Sequence, residues 1–445
     1  MAAETQASLA VLETAKRFLS SFHQPARLLV AVSGGSDSKG VLLALTRAIE
    51  ATGDTSLSIC ACTVDHGLRP GSADEAQAMA VFCASLGVPH VIKRWEGEKP
   101  ATGIQAAARQ ERYHLLAAAA DDLGATCIVT GHTLDDQRET ILMRSERGQG
   151  PGAAGMAAAT LYDGRFWLLR PFLGLRRATI RAFLAEAQVA WFDDPSNANM
   201  RFERVRTRKR LAETGTDARG AWDAASRTRS SARAAAWLQH HARVHENLVA
   251  QITDAGSALV DADWRRALLA MASVVGGRAH ALPAQTVERL AAFLKSDQQG
   301  RLTAGRVVFD SRSTGLYLYR EARNLPLMTL RPGEAGIWDG RFRVHNGGHG
   351  LVEVGAGDDQ GLQRQRLIAA GVPPGVAGRA SVSSPHLVST EGCDSSQTRI
   401  EPRLSLYDTF LPGFDLMMAE MIAGLFGRQP YVRSPVHDLL TEMER

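Results

Sequence analysis

Cysteine is scarce in this sequence, and no pair of cysteines has the spacing of a redox or zinc motif. The chain has 445 residues and only five cysteines, none of them in a C-x-x-C arrangement. An odd number of scattered thiols excludes a disulfide framework or a zinc ribbon and predicts reduced, intracellular thiols. Cys60 and Cys62 form a C-x-C on a predicted strand, where both side chains lie on one face and pack.

The sequence also lacks a hydrophobic run long enough to cross a membrane. A transmembrane helix needs about 20 consecutive apolar residues, and the apolar stretch LMMAEMIAGLFG is short and interrupted by Glu420. The N-terminal segment contains Glu4 and Glu13 and has apolar residues at helical spacing, which favours an amphipathic helix over a targeting peptide. We therefore expect a cytoplasmic protein with no membrane partner.

Neither sign of charge dominates the composition. The net charge is only +4, so the total predicts nothing about nucleic acid, and the distribution of charge matters more. Hydrophobic residues make up 45% of the chain and charged residues 22%, which excludes wholesale disorder. The length exceeds what a single ordinary core accommodates and predicts two or three domains.

Short apolar runs alternate with helical patterns near the N-terminus. The runs predicted as strands are 27–33, 57–64, 88–95 and 126–132. This alternation predicts an α/β fold with a doubly wound parallel sheet, in which ligands bind at the carboxyl ends of the strands. Three loops leave those ends and should converge on one cleft: 33–38, 65–69 and 131–136.

The pattern changes twice in the rest of the chain. From 218 to 297 it is helical, and from 302 onward it alternates as in β-hairpins, one of them around Asp339-Gly340. Residues 353–402 are rich in glycine, serine and proline, and we expect long loops there.

The stretch AVSGGSDSKG, residues 31–40, indicates a phosphate-binding loop between a strand and a helix. Gly34 and Gly35 allow the backbone to approach phosphate closely and to adopt unusual φ angles. Three hydroxyls can donate further hydrogen bonds, those of Ser33, Ser36 and Ser38. Neither the Walker A nor the Rossmann spacing is present, so Lys39 has no assigned role and is expected to be a solvent-facing helix residue.

Asp37 is the unexpected member of this loop, because phosphate repels a carboxylate unless a cation lies between them. One interpretation is that Asp37 is a Mg²⁺ ligand that bridges to the phosphates of ATP. The other is that Asp37 is the N-cap of the helix that starts there. The loop alone leaves both open.

The loop matches the S-G-G-x-D-S signature of the PP-loop ATP pyrophosphatases at every specified position. The chain therefore resembles enzymes that split ATP between the α- and β-phosphates. The resemblance implies that an oxygen of the substrate is adenylated and that a nucleophile then displaces AMP. It does not identify the substrate.

Further segments narrow the resemblance to one family. They are VDHGLRPGSADEA, GIQAAARQERY, TGHTLDDQRETILMR, GAAGM, LLRPFL and DDPSNANMRFERVRTRKRL, in this order. Over about residues 25–211 the chain is similar to the tRNA(Ile)-lysidine synthetases. These ligases use ATP to adenylate C2 of the wobble cytidine, position 34, of an isoleucine tRNA with a CAU anticodon. They then attach L-lysine through its ε-amine, giving lysidine, AMP and diphosphate.

The resemblance also implies the cofactors, partners and domains. ATP with Mg²⁺, L-lysine and tRNA(Ile) are the expected ligands, and a homodimer is compatible with the sequence. We predict a Rossmann-like PP-loop catalytic domain over 1–215 and a helical tRNA-binding domain over 216–300. A smaller mixed α/β C-terminal domain with β-hairpins and long loops is expected over 301–445.

Two acidic residues are the candidates for the lysine pocket. Asp136 and Glu139 are three apart on a predicted helix that follows the fourth strand, so they share a face. The resemblance implies that they contact lysine, and either could deprotonate its amine. The alternative is a solvated acidic face paired with Arg138 or Arg144. Asp135 is a weaker candidate.

Histidines and arginines complete the candidate site. His66 and His132 follow the second and fourth strands, where contacts to ATP are expected, although each could be merely structural. The resemblance makes Arg112 the arginine that contacts phosphate or substrate, while Arg109 lies one turn earlier and could also reach the cleft.

A basic run at 201–210 is the candidate tRNA-binding segment. Three of its arginines alternate and cannot all face the same way: Arg204, Arg206 and Arg208. Arg206 is the first choice for the cleft, by resemblance to the family, and a plain solvated face is the alternative. Arg227, Arg229 and Arg233 could extend the tRNA path. Trp222 and Trp237 are expected in the core.

Two other classes of function stay open at this point. One is a different PP-loop enzyme, such as a tRNA 2-thiolation enzyme, although that family carries paired cysteines that this chain lacks. The other is a non-catalytic protein that binds ATP or RNA. Lysine incorporation into RNA distinguishes all three.

Overall fold

The computed structural model describes residues 5–23, 25–146, 155–193, 203–214, 224–257, 260–296, 299–357, 359–388 and 397–437. The chain forms two compact units. The first contains residues 1–227 together with 412–414 and the chain from 432 onward, and the second contains 228–411 and 415–431. The prediction of three domains with boundaries near 215 and 300 stays a prediction.

The first unit is built on a mostly parallel sheet. Its strands are β1 (Ala26–Ala31), β2 (Leu57–Asp65), β3 (His90–Arg94), β4 (Cys127–Thr130), β5 (Ala159–Tyr162) and β6 (Phe166–Leu169). The strand order is β5-β6-β4-β1-β2-β3, and only β5 runs antiparallel to its neighbour among these six. The reversal of order at β1 is where a doubly wound sheet opens a ligand-binding crevice. The predicted α/β class and all four predicted strands are confirmed.

Helices flank this sheet and connect its strands. They are α1 (Gln6–Ser20), α2 (Ser36–Thr52), α3 (Ser72–Ser85), α4 (Ile104–Asp122), α5 (Leu134–Glu146), α6 (Arg177–Glu186) and α7 (Glu203–Thr214). The central strand β1 is buried along almost its whole length, as expected for a strand covered on both faces. Cys60 and Cys62 are buried and reduced, as predicted.

The second unit combines helices with small antiparallel sheets. Its helices are α8 (Ala224–His241, which starts in the first unit), α9 (Ala262–Val275), α10 (Ala284–Lys295), α11 (Leu362–Ala369), α12 (Pro374–Ser381) and α13 (Leu416–Leu425). The strands are β7 (Ala242–His245), β8 (Val249–Ile252), β9 (Gly300–Ala304), β10 (Val307–Arg312), β11 (Gly315–Arg320), β12 (Met328–Leu330), β13 (Ala335–Trp338), β14 (Phe342–Asn346), β15 (Val352–Ala356), β16 (Pro385–Val388) and β17 (Thr398–Pro402). Trp338 is fully buried at the core of this unit. The last strand, β18 (Phe410–Pro412), belongs to the seven-stranded sheet that contains β1–β6, where it pairs with β5.

Two expectations for this unit are wrong in part. The region 218–297 is not entirely helical, because β7 and β8 form a hairpin that joins a five-stranded sheet. The region 353–402 is not simply long loops, because α11, α12, β16 and β17 lie within it. The hairpin predicted around Asp339-Gly340 is confirmed as β13–β14, and the alternating pattern that begins near residue 302 includes the hairpin β10–β11. In the part of the chain that is described, no helix is long and apolar enough to span a membrane.

Candidate active site

The loop after β1 is closed by hydrogen bonds among its own serines. The Ser33 amide donates to the Ser38 hydroxyl at 2.9 Å, and that hydroxyl donates to the Ser33 carbonyl at 3.0 Å. Gly35 is the N-cap of α2, and Asp37 lies within the first turn. The interpretation of Asp37 as the N-cap is therefore wrong. The first turn of α2 points its free N–H groups into the crevice, where an anion is favoured.

Of the two loop glycines, Gly34 is required for space, and neither is required for an unusual φ angle. Neither Gly34 nor Gly35 has a positive φ, so that part of the expectation is wrong. A Cβ at Gly34 would lie 2.7 Å from Cδ2 of Phe192. The Phe192 amide also donates to the Gly34 carbonyl at 2.8 Å. The phosphate-binding loop is thus covered on one side by an aromatic ring.

Gly131 brings the end of β4 against the phosphate-binding loop. A Cβ at this position would lie 2.9 Å from the Asp37 carbonyl carbon and from the Ser38 Cα. Only glycine allows the two backbones to approach this closely. The contact places His132 and the first turn of α5, with Asp136, beside Asp37.

Arg177 joins the two acidic groups of the site. Its Nε donates to Oδ2 of Asp37 at 2.7 Å, and its Nη2 donates to Oδ1 of Asp136 at 3.1 Å. Burial together with the nearby Asp136 raises the pKa of Asp37, although Arg177 opposes the shift. Burial alone would lower the pKa of Arg177, but the same two carboxylates outweigh it and raise the pKa, so the guanidinium is charged.

Asp136 is ionised and well held in this arrangement. Its Oδ2 accepts from the amide and the hydroxyl of Thr133, both at 2.9 Å. Its Oδ1 accepts from Arg177 and also from Nη2 of Arg204 at 3.0 Å. Burial alone would raise the pKa of Asp136, but Arg204, Arg177 and the Thr133 amide together lower it below its usual value.

Helix α7 covers Glu139. Nε of Arg204 donates to Oε2 of Glu139 at 2.6 Å, and Nε of Arg208 donates to Oε1 at 2.7 Å. The side chain of Glu139 is only 2% exposed, so both of its oxygens are occupied and shielded. Arg206 lies between the two pairing arginines in sequence and is exposed.

These groups enclose a cavity of about 320 Å³. The residues predicted from the sequence that line this cavity are Ser33, Gly35, Ser36, Asp37, Ser38, Arg112, His132, Asp136, Arg204 and Arg208. Arg206, the first choice for the cleft, does not line it, and Glu139 lies behind the two arginines that bind it. The walls are mainly polar and charged, as phosphate binding requires.

A second cavity of about 660 Å³ lies next to the first and shares part of its wall. Gly34 and His66 are the predicted residues that line only this cavity, and the predicted residues that line both are Ser33, Arg112, Arg204 and Arg208. Apolar side chains such as Leu68, Ile104 and Leu116 contribute to its wall. Such a mixture of apolar walls and a few polar groups suits the nucleoside half of a nucleotide.

Both candidate histidines are neutral. Burial and Arg112 lower the pKa of His66, whose Nδ1 is buried with no hydrogen-bond partner. Burial and then Arg170 lower the pKa of His132 well below its usual value. Nδ1 of His132 lies 2.9 Å from the Thr130 hydroxyl. Both imidazoles can therefore accept or donate a hydrogen bond without carrying charge.

The site also contains residues that the sequence did not predict, and Lys39 was misplaced. Arg177 and Arg181 line the first cavity, and Nε of Arg181 lies 3.3 Å from the Ser36 hydroxyl. Lys39 is buried and not solvent-facing, since its Nζ donates to the Ala190 carbonyl at 2.9 Å. Its ammonium also lies 4.9 Å from the ring centroid of Phe82.

The remaining candidates lie elsewhere. Arg109 stacks over the ring of Tyr113 at 5.1 Å and lines neither cavity. Asp135 accepts from the Arg177 amide at 2.7 Å. Arg233 pairs with Asp261 and Asp263, and Arg227 lies over Phe414. Trp237 is buried, as expected, and Trp222 lies outside the described residues.

Comparison with known proteins defines first the class and then the family. Residues 7–214 match the PP-loop domain. The chain is 55% identical to a tRNA(Ile)-lysidine synthase from Rhizobium meliloti (strain 1021), in an alignment that covers 98% of this chain and 99% of the relative. A tRNA(Ile)-lysidine synthase from Mesorhizobium japonicum is 39% identical over 92% of this chain and 94% of its own. The chain belongs to the tRNA(Ile)-lysidine synthase family.

The solved structures include a more distant likeness. The U34-tRNA thiolase NcsA from Methanococcus maripaludis matches with a TM-score of 0.40 and 14% identity. The match covers 46% of this chain and 72% of the thiolase. A likeness of this size carries no functional information.

Proposed function

We propose that this protein is a ligase that uses ATP to attach L-lysine to C2 of the wobble cytidine of a tRNA(Ile) with a CAU anticodon. The observation that carries the proposal is the near full-length identity of 55% to a tRNA(Ile)-lysidine synthase. The cavity supports it, since the phosphate-binding loop and the carboxylate of Asp136 both line it.

The first step requires neutralisation of the phosphates. The C2 carbonyl oxygen of cytidine attacks the α-phosphorus of ATP, and diphosphate leaves. The first turn of α2 offers its N–H groups to the phosphates, and Arg112, Arg177 and Arg181 offer charge from the cavity wall.

A single Mg²⁺ fits the residues present. Asp37 offers one carboxylate beside the phosphate-binding loop, and Mg²⁺ is commonly bound by one or two carboxylates together with substrate phosphates and water. Within the described residues, no cluster of three metal-binding side chains exists, so an all-protein cage is not formed. Bound Mg²⁺ would supply charge neutralisation at the leaving diphosphate.

The second step requires a lysine held by its charges. The neutral ε-amine attacks C2 of the adenylated base, AMP leaves with the C2 oxygen, and the proton of the new C–N bond passes to a carboxylate and from there to water. Asp136 and Glu139 are the proposed carboxylates for the lysine. Because its pKa is lowered, Asp136 is suited to hold a cation at neutral pH. Glu139 reaches a ligand only when Arg204 and Arg208 release it.

Mass analysis of nucleosides tests this function. Incubation of the protein with tRNA(Ile), ATP, Mg²⁺ and L-lysine should convert cytidine 34 to a nucleoside heavier by the lysine residue. A transcript with uridine at position 34 is the matched control and should stay unmodified. Splitting of ATP without lysine in the RNA would overturn the proposal, and sulfur in place of lysine would indicate a thiolation enzyme.

A further inference from the structure

One guanidinium connects the two proposed substrate sites. Arg177 donates at the same time to Asp37, the proposed metal ligand, and to Asp136, the proposed lysine carboxylate. Its side chain is 21% exposed and lies in the wall of the first cavity. A ligand that draws the Arg177 guanidinium away from one carboxylate therefore also removes a hydrogen bond and a positive charge from the other.

The backbone of Arg177 is fixed, so its side chain is the part that can respond. Arg177 is the first residue of α6, and its amide donates to Oδ2 of Asp135 at 2.7 Å. The Leu134 amide donates to the Leu175 carbonyl at 2.9 Å, which ties the starts of α5 and α6 together. A carboxylate at a helix N-terminus is a stable arrangement, because it satisfies a free N–H group and the helix dipole.

Asp136 offers little to a cationic ligand while Arg177 and Arg204 are bound to it. One of its oxygens is used by Thr133 and the other by the two guanidinium groups. Among the described residues, the cavity wall contains five arginines and three carboxylates. An ammonium group that enters without a nucleotide therefore meets an excess of positive charge. An ATP–Mg²⁺ complex carries negative charge and offsets this excess.

We propose that Arg177 is a positioning residue that makes lysine binding depend on bound nucleotide. This inference rests on the proposed function, because it takes Asp136 as a lysine carboxylate. When ATP with its metal occupies the phosphate-binding loop, the guanidinium turns from the carboxylates to the phosphates. Oδ1 of Asp136 then accepts the ε-ammonium of lysine. Nucleotide binds first and lysine second.

The coupling must be reciprocal, since both ligands act on the same equilibrium. Nucleotide that tightens lysine binding by some factor is itself bound more tightly by that factor when lysine is present. We expect about a tenfold effect, within the usual range for coupled sites. A contact that only supports the fold would produce no such dependence.

Calorimetric titration of the full chain measures the coupling. L-Lysine is titrated into the protein with and without the α,β-methylene analogue of ATP and Mg²⁺, which cannot be split at the relevant bond. The wild-type protein should bind lysine about tenfold more tightly with the analogue. In Arg177→Gln, lysine should bind more tightly than wild type without nucleotide, and the analogue should change its affinity less than about twofold.

Two further variants make the result specific. Arg176→Gln removes the neighbouring positive charge and should keep the wild-type coupling. Arg177→Lys keeps the charge and should recover part of the coupling. Unfolding temperatures are compared so that a damaged fold is recognised, and the gain of lysine binding in Arg177→Gln is a result that damage cannot give.

The outcomes separate this inference from the proposed function. Equal lysine affinity with and without the analogue in a protein that forms lysidine overturns the coupling and leaves the function intact. The same coupling in Arg177→Gln as in wild type also overturns it. A protein that makes no lysidine overturns the function, and the inference falls with it.

Discussion

At the scale of one residue, the Asp136 carboxylate stays charged although it is buried, because its partners offset the effect of burial. Its carboxylate is held by Thr133 on one oxygen and by two arginines on the other. These partners lower its pKa although burial opposes them. A group whose pKa is lowered by folding stabilises the folded state wherever the unfolded group would also be ionised.

Asp136→Asn should therefore destabilise the protein in a pH-dependent way. The contribution of the carboxylate is fully present above the ordinary aspartate pKa of about 4 and is lost as the pH falls through the lower folded value. We expect the free energy of unfolding to fall by about 1–3 kcal/mol at pH 7. This loss is smaller than for a completely buried pair because Arg204 is partly exposed. Urea unfolding at pH 7 and pH 3 measures it.

Asp74→Asn is a matched control on an exposed helix turn. It should change the free energy of unfolding by less than about 0.5 kcal/mol at pH 7. If Asp136→Asn lost the same stability at pH 3 as at pH 7, packing and not charge would explain the effect.

Single residues differ in how far the sequence predicts them. Ser33, Asp37 and Ser38 could be predicted because the phosphate-binding loop is contiguous and its spacing is characteristic. Arg177 could not, since its partner Asp37 is 140 residues away and only the folded sheet brings them together. Lys39 was misplaced because helical spacing alone does not reveal that Phe82 and the Ala190 carbonyl cover it.

At the scale of elements, the site depends on the close contact between the end of β4 and the start of α2. Gly131 has no room for a side chain, because backbone atoms of Asp37 and Ser38 occupy the space. Backbone cannot move aside as a flexible side chain can. The distance between the phosphate-binding loop and the first turn of α5 is consequently fixed by one glycine.

Gly131→Ala should push these two elements apart. We expect a destabilisation of about 1–3 kcal/mol, as for other insertions into packed regions. Formation of lysidine should fall by at least about a hundredfold, because small misplacements of reacting groups are costly. Unfolding by urea and the nucleoside mass assay measure the two effects.

Gly424→Ala is the control, since a Cβ in α13 meets nothing within 4 Å. It should be neutral or slightly stabilising, as expected for alanine in a helix. Normal lysidine formation by Gly131→Ala would show that the close contact is not needed for the site.

Elements were predicted well where their pattern is long and poorly where tertiary contacts support them. The N-terminal amphipathic helix and the helical patterns between the predicted strands are confirmed as α1 to α4, whereas no helix was predicted for the basic run that forms α7. The short helices α11 and α12 lie in a region rich in glycine and proline, and Pro374 occupies the first position of α12. Their burial, for example of Leu367 and Val376, supplies stability that local propensity does not.

At the scale of the whole molecule, the small net charge conceals an uneven distribution. Arg204 and Arg208 on α7 turn inward to Glu139, while Arg206 and Lys209 are exposed on the same helix. The inward pair belongs to the cavity. The exposed pair adds positive charge to a surface that would attract a polyanion such as tRNA, although Lys209 also lies 3.9 Å from Oε1 of Glu213.

Arg206→Gln combined with Lys209→Gln should weaken tRNA binding and flatten its salt dependence. Each phosphate contact that is lost lowers the slope of log K against log salt by about 1. The magnitude of this slope should therefore be smaller in the variant by up to about 2. Filter binding at several salt concentrations measures it.

Lys16→Gln on α1 removes an exposed charge of the same sign and serves as the control. It should leave the slope unchanged. An unchanged slope in the double variant would mean that the exposed face of α7 is merely solvated.

The return of the chain to its first unit has a consequence for biosynthesis. Residues from 432 onward belong to that unit, where the Val432 carbonyl accepts from the Trp167 indole and Val436 bridges to Phe22. A ribosome must therefore synthesise the chain beyond Val436 before the ATP-binding unit can form these contacts. A chain whose synthesis has not yet reached this segment lacks them, so translation through the second unit delays the completion of the first.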